Sequence, residues 1–400
     1  MITLLTGNSR ILLTVDERGN WSNLYYPFAG QYQHLRTVKL GLFDATDDSF
    51  VWLGDDARWT VEQDYYRGSN ACRTLYVGPL LDVEVVDSVH SNHDLVIRRV
   101  TVHNKTAEPR DVRVFNYQSL MVAESMYQDT AYWDEERRTI NHYKRNYYFQ
   151  LMGAPTFDAF TCGEHTLKGL QGSYVDAEDG KLDGGRISHG AADSVVQWNL
   201  KVPPGGHGSI RLLVILGHSR QDVNKFWDHL RGRDADELEN EAVDFWNHWI
   251  GHKDLGVASG LSREARGVYK RSIFLLKNCA SHNGAIIASP DPRTLKSGGD
   301  TYNYNWWRDG AYISKAMDEV GLYETAHRFL KFAEKCQEEE GYFLHRHFPD
   351  GTVGSTWHLP PFIQIDQTAT VVSAVWHHFK RHGDLDELLD LWPLVKRAAN

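Results

Sequence analysis

The spacing of apolar residues changes once along this 400-residue chain, near Arg220, and no other feature restricts its fold as strongly. Up to about residue 215 apolar residues alternate with polar ones, the spacing of strands with one face turned inward. Leu95–Val102 is rich in β-branched residues, Asn104–Pro109 is a turn cluster, and Asp111–Tyr117 resumes the alternation at Val112, Val114 and Tyr117. Similar runs recur at Arg10–Val15, Leu80–Val86, Ser194–Val202 and Ser209–Leu216. Many short strands with no helical spacing between them predict an antiparallel sandwich.

Beyond Arg220 the spacing becomes helical. Gln221–Ile250 carries Phe226, Trp227 and Leu230 on one face and, past a break at Gly232, Val243, Trp246 and Ile250, which reads as a helical linker. From about Ser262 three i, i+3, i+4, i+7 stripes follow: Ile313, Ala316, Met317, Val320; Ala326, Phe329, Leu330, Ala333; and Val372, Val375, Trp376, Phe379. Gly321 and Gly383 stand where helices end on a left-handed residue. Asp384 with Glu387 makes a capping-box pattern, and Pro393 is expected to break or restart the last helix. The predicted layout is a sandwich over 1–218, a helical linker over 219–255 and a helical domain over 256–400. A chain of this length exceeds what one hydrophobic core serves, which agrees with such a division. Val395–Asn400 runs on in helix formers with no stop signal, so the helical domain is expected to be cut short at residue 400.

A formal net charge of -10 excludes nucleic acid as a partner, since phosphates demand a basic face. No run is long and apolar enough to span a bilayer, and Met1–Val15 is broken by Asn8, Ser9 and Arg10, so no signal peptide is expected. Cys72, Cys162, Cys279 and Cys336 are scattered and make neither a metal motif nor a disulfide framework; reduced, buried cysteines in a cytoplasmic protein are predicted. The chain holds 13 Trp, 19 Tyr and 16 Phe. Broad aromatic faces suit the C–H faces of sugar rings, although large cores use the same residues.

Tyr302-Asn-Tyr-Asn-Trp-Trp-Arg-Asp-Gly310 concentrates four aromatics, a guanidinium and a carboxylate just before a helix. Arg308 can donate two parallel hydrogen bonds, Asp309 can accept two from neighbouring sugar hydroxyls, and Trp306 or Trp307 can wall a ring-sized pocket. Asp309 taken alone reads better as a helix cap, and the whole cluster reads as a sugar site. A second aromatic and polar loop, Gly354–Thr368, places Trp357, His358, Gln364 and Asp366 ahead of the next helix; Asp366 is expected to cap that helix, and Trp357 and His358 to touch sugar. His377, His378 and His382 have no third ligand at metal-site spacing and read as a solvated helix end. No metal or organic cofactor is expected in the chemistry.

With these residues in view the chain resembles glycoside hydrolase family 15, in its prokaryotic glucoamylase branch. Asn8–Gly19 and Asn23–Pro27 resemble that family's first sandwich strands, and Trp306-Trp-Arg-Asp309 its motif for the nonreducing-end glucose. Tyr302 matches an aromatic beside the scissile bond, and Trp357 resembles a tryptophan near the catalytic acid. The implied fold is an N-terminal antiparallel β-supersandwich followed by an (α/α)6 toroid, truncated at residue 400. The implied activity is exo-acting, inverting release of glucose from α-1,4-glucans or maltooligosaccharides. The family's general acid lies in a Leu-Trp-Glu-Glu-like segment and its base further on; neither occurs here, so no catalytic residue is assigned within the chain. Two readings stay open: a trehalase or α-1,6-glucosidase on the same scaffold, and a catalytically dead carbohydrate-binding protein.

Overall fold

The computed structural model describes residues 1–165, 172–251, 260–291, 302–354, 360 and 362–399. The chain divides into two compact units: Met1–Asn8, Leu13–Leu24 and Tyr32–Asn247 form one, and Ser9–Leu12, Tyr25–Gln31 and His248–Asn400 the other.

The first unit is built on two antiparallel sheets. One runs in the order Ile2–Gly7, Leu12–Asp16, Trp21–Phe28, Leu35–Asp44, Arg110–Leu120, Ala192–Val202, Ala159–Glu164. The other runs Ile187–Gly190, Asp129–Asp134, Thr139–Lys144, Tyr147–Ala154, His207–Gly217, Leu95–Asn104, Leu81–Val89, Cys72–Val77, Thr60–Tyr65. Leu95–Asn104 and Arg110–Leu120, joined by the predicted turn, belong to opposite sheets: Arg98 pairs with Asp87 and Leu212, whereas Val114 pairs with Trp198 and Leu42. Strands at the margin keep a clean alternation, as Cys72–Val77 does, but the central ones are buried on both faces. Helices supply the second cover. Leu95, Ile97, Leu213 and Ile215 pack on Val223 and Leu230 of α2 (Arg220–Leu230) and Leu238 of α3 (Ala235–Gly251), α1 being the single turn Ser173–Asp176. Residues 220–247 therefore belong by contact to the sandwich unit. Between the sheets Arg98 is fully buried: Nε and Nη2 reach Asp87 at 2.8 and 3.1 Å, Nη1 reaches Asn116 at 3.1 Å, and the guanidinium lies 4.4 Å from the Trp21 ring centre.

The second unit carries α4 (Arg263–Asn278), α5 (Trp307–Glu319), α6 (Tyr323–Cys336), α7 (Ile365–His382) and α8 (Leu385–Ala399). Gly383 closes α7 in the left-handed region, and Asp384 accepts the backbone N–H groups of Asp386 and Glu387, as the capping pattern implied. Three sequence expectations fail here. Pro393 lies inside α8, which continues through it; the flanking Leu391 and Leu394 are both buried and hold the helix across the missing N–H. The inward stripe of α7 is Gln367, Val371, Ala374, Val375 and His378, leaving Trp376 exposed, because a polar residue with a buried partner competes successfully for an inward position. His378 is accordingly no solvated helix end but 2% exposed, with Nδ1 2.8 Å from Asp318 Oδ1. All four cysteines are free and buried. No helix among the described residues is long and apolar enough to cross a membrane.

Candidate functional site

The aromatic loops on either side of α5 and α6 are tied by short bridges. Asn305 and His347 exchange both backbone hydrogen bonds, at 2.9 and 3.1 Å, and Leu344 bridges Ile363. That ladder sets Trp306–Asp309 beside His345–His347. Helix α5 starts at Trp307 without a side-chain cap from its own N-terminus. Its first N–H instead donates to Gln367 Oε1 at 2.8 Å, and Gln367 Nε2 donates to the His345 carbonyl and to Gln364 Oε1, each at 2.9 Å. One fully buried carboxamide on α7 thus joins the start of α5 to both loops. Gly310 is required where α5 meets α6, since a Cβ there would lie 2.4 Å from the Phe329 ring. Gly30, at φ +95°, lets residues 25–31 run against the loop: its carbonyl accepts from Asn303, and a Cβ would strike Ile287 at 2.6 Å.

The two tryptophans separate in role. Trp307 is 0% exposed; its indole N–H donates to the Leu344 carbonyl at 3.0 Å and its ring packs on Phe343 and Phe332. A ring with no accessible surface offers a sugar no face, so Trp307 supports the site from behind. Trp306 stacks under Tyr302 with ring centres 5.9 Å apart, and Tyr302 is 62% exposed. The other face of this pile is charged. Arg346, itself buried, places its guanidinium 4.2 Å from the Tyr304 ring and 5.2 Å from that of Trp306, and His345 meets Trp306 edge-on at 4.6 Å. The buried Trp306 indole N–H has no acceptor among the described residues.

Arg308 and Asp309 also part company. Arg308 Nη1 donates to Asp366 Oδ2 at 2.7 Å and to Gln364 Oε1 at 3.3 Å. The hydrogen bond to Asp366 holds the guanidinium above its ordinary pKa, against the pull of burial. Asp366 therefore does not cap α7, as its sequence position suggested: the cap position is Gln364, which makes no capping bond, and the carboxylate goes to a cation on the neighbouring helix. Asp309 sits in the first turn of α5, not at its cap, is partly buried, and accepts no hydrogen bond among the described residues. Capping thus does not account for it. A carboxylate with no donor among the described residues and an exposed tyrosine face are what the hydroxyls and C–H face of a sugar require. Trp357 and His358 lie outside the described residues. A cavity of about 500 Å³ bounded by Tyr342, Ile363, Gln364, Ile365, Val372 and Val395 adjoins this cluster at Gln364 and is mostly apolar.

Sequence reasoning missed Gln367, His345 and Arg346, and counted Tyr304 only as one of four aromatics. The only signal in the chain was the dense His-Arg-His of 345–347 within a loop already marked as polar and aromatic.

No family model matches the chain. Over 99% of its length it is 26% identical to an uncharacterized glycosyl hydrolase of Methanocaldococcus jannaschii, of which it spans 62%. The likeness is to glycosyl hydrolases. Among solved structures, a bacterial glucoamylase complexed with acarbose superposes on 98% of the chain with a TM-score of 0.78 at 14% identity, and a putative kojibiose phosphorylase from the human microbiome on 94% with 0.61 at 11%. The chain spans 57% and 53% of those two proteins. At such identities these neighbours show the fold alone, an antiparallel sandwich followed by the helical part of a glucoamylase-like protein.

Proposed function

We propose that the protein containing this chain is an exo-acting, inverting α-glucosidase of the glucoamylase type, which releases glucose from nonreducing ends of α-1,4-glucans or maltooligosaccharides. The observation that carries the reading is Asp309: a partly buried carboxylate with no hydrogen-bond donor among the described residues, beside a cation and an aromatic wall. On this reading Asp309 accepts two hydroxyls of the terminal glucose, Arg308 holds the ring while anchored by Asp366, and Tyr302, backed by Trp306, carries its apolar face. Trp357 and His358 are assigned to the same pocket, Trp307 to its support. The sandwich over 1–218 and the linker over 219–255 precede the first part of the toroid over 256–400. Inversion needs a general acid and a general base on opposite sides of the bond, with water beside the base. We assign that pair to sequence beyond residue 400, in keeping with the 62% of the glycosyl hydrolase relative's length that the chain spans. We assign the enzyme to the cytoplasm; its net charge of -10 suits a partner other than nucleic acid.

The test is to incubate the full-length protein with maltose, isomaltose and trehalose and follow the anomers released by NMR. Glucose appearing first as the β-anomer, fastest from maltose, is the expected result. Preference for isomaltose or trehalose would move the linkage assignment. Initial α-glucose, or a sugar phosphate formed only with added phosphate, would contradict inverting hydrolysis.

A further inference from the structure

We propose that His327, His378, His382 and Glu387 form a zinc site that ties helices α6, α7 and α8 together. The four residues come from three helices and converge on one oxygen. Glu387 Oε2 lies 2.8 Å from His382 Nδ1, 3.3 Å from His378 Nε2 and 4.0 Å from His327 Nδ1. The ligand atoms of His327, His378 and Glu387 all lie within 4.8 Å of one another. Zinc bound tetrahedrally at about 2.0–2.1 Å from nitrogen separates its ligand atoms by roughly 3.4 Å. For these three, movements below about 1 Å at the side-chain ends suffice to seat the ion; His382, 2.8 Å from Glu387 Oε2, is brought in by a larger turn of its side chain. Imidazoles with one carboxylate are a donor set that zinc favours.

Two features distinguish this cluster from ordinary surface histidines. Asp318, buried on α5, lies 2.8 Å from His378 Nδ1. A carboxylate only accepts, so Nδ1 carries the proton and Nε2 is turned toward Glu387. This is the carboxylate–histidine support that orients metal ligands. The second feature is His327 Nδ1, a buried nitrogen with no hydrogen-bond partner among the described residues. Such groups in native proteins call for a partner, and an ion bound to Glu387 supplies one. Asp384 is an alternative fourth ligand near His382 and Glu387, but its Oδ1 already accepts the backbone N–H groups of Asp386 and Glu387, at 2.9 and 3.1 Å. His378 follows Asp366 by twelve residues along α7, about 18 Å at 1.5 Å per residue. The ion is therefore placed for stability and not for contact with sugar.

Zinc is titrated into chelator-treated full-length protein by calorimetry, with melting temperature and the visible spectrum of the cobalt-substituted form read in parallel. The expected result is one ion per chain, a raised melting temperature, and the intense absorption of four-coordinate cobalt. His327→Gln and Glu387→Gln, both at partly exposed positions, should each weaken zinc by at least ~10-fold. His377→Gln should leave the affinity unchanged, because His377 faces Glu319 instead. Chelation should lower the melting temperature while kcat on the preferred disaccharide stays constant. Failure to take up stoichiometric zinc, or uptake that His327→Gln and Glu387→Gln both leave intact, would overturn the assignment in favour of a plain hydrogen-bond network.

Discussion

Replacing Gln367 by Leu isolates the contact that assembles the candidate site. The carboxamide is fully buried and makes three hydrogen bonds: it accepts from Trp307 N–H and donates to the His345 carbonyl and to Gln364 Oε1. Leucine fills nearly the same space but strands the first N–H of α5 and takes a donor from His345. Each buried group left without a partner costs about 1–3 kcal/mol. The added apolar burial returns about 1 kcal/mol. The net loss of about 1–5 kcal/mol corresponds to roughly 2–20 °C in melting temperature for a unit of this size. Gln367→Glu keeps the shape and sets a carboxylate oxygen against two acceptors. Its penalty should shrink as pH falls, because a protonated carboxyl donates one of the two lost bonds. The assay is thermal unfolding followed by tryptophan fluorescence from pH 4 to pH 8. A leucine variant melting within about 1 °C of the parent, equivalent to less than ~1 kcal/mol, would show that the site does not depend on this carboxamide.

Further predictions concern the buried charges and the histidines. Asp87→Asn should destabilise the sandwich unit by about 3–5 kcal/mol in denaturant unfolding, since it leaves the buried Arg98 guanidinium uncompensated. Adding Arg98→Met to that variant should recover most of the loss, and no recovery would show that the pair matters through shape alone. Burial pushes the His347 imidazole down to about 4, against the weaker opposing effect of Asp350. A folded pKa below the unfolded ~6.5 gives stability that is complete above pH ~6.5 and lost as pH falls through 4. The loss amounts to about 3 kcal/mol, and His347→Gln should flatten that part of the pH–stability curve of the helical unit.

The division between alternation and helical spacing was legible because it is a local property, written at two and at three to four residues. The strands and helices follow it closely, down to the break at Gly232 between α2 and α3. What escaped depends on partners distant in sequence. Asp366 looked like a cap because its neighbours are local, yet its carboxylate pairs with Arg308, 58 residues away. His378 looked solvated beside His377 and His382, yet Asp318 lies 60 residues back on another helix. Gln367 gave no sign at all: a lone glutamine in a helix start has meaning only once Trp307 and His345 are brought to it. The Trp306–Asp309 cluster was visible as a unit, but only packing separated the fully buried Trp307 from Trp306 and the anchored Arg308 from the free Asp309.

The most direct test is Asp309→Asn in the full-length protein, with kcat/KM on its preferred disaccharide measured together with the melting temperature. Asparagine keeps the size but turns one acceptor into a donor, set against a sugar hydroxyl. Charge-assisted hydrogen bonds contribute about 1.5–3 kcal/mol each, so losing one or two predicts a fall in kcat/KM of roughly 10- to 10,000-fold. Asp309 makes no hydrogen bond among the described residues, and what it gives α5 is the weak attraction of a first-turn carboxylate for the helix dipole, about 0.3–1 kcal/mol. The melting temperature should therefore fall by no more than about 4 °C. Near-normal kcat/KM with that small thermal shift would contradict the account and leave Asp309 a bystander at the helix start.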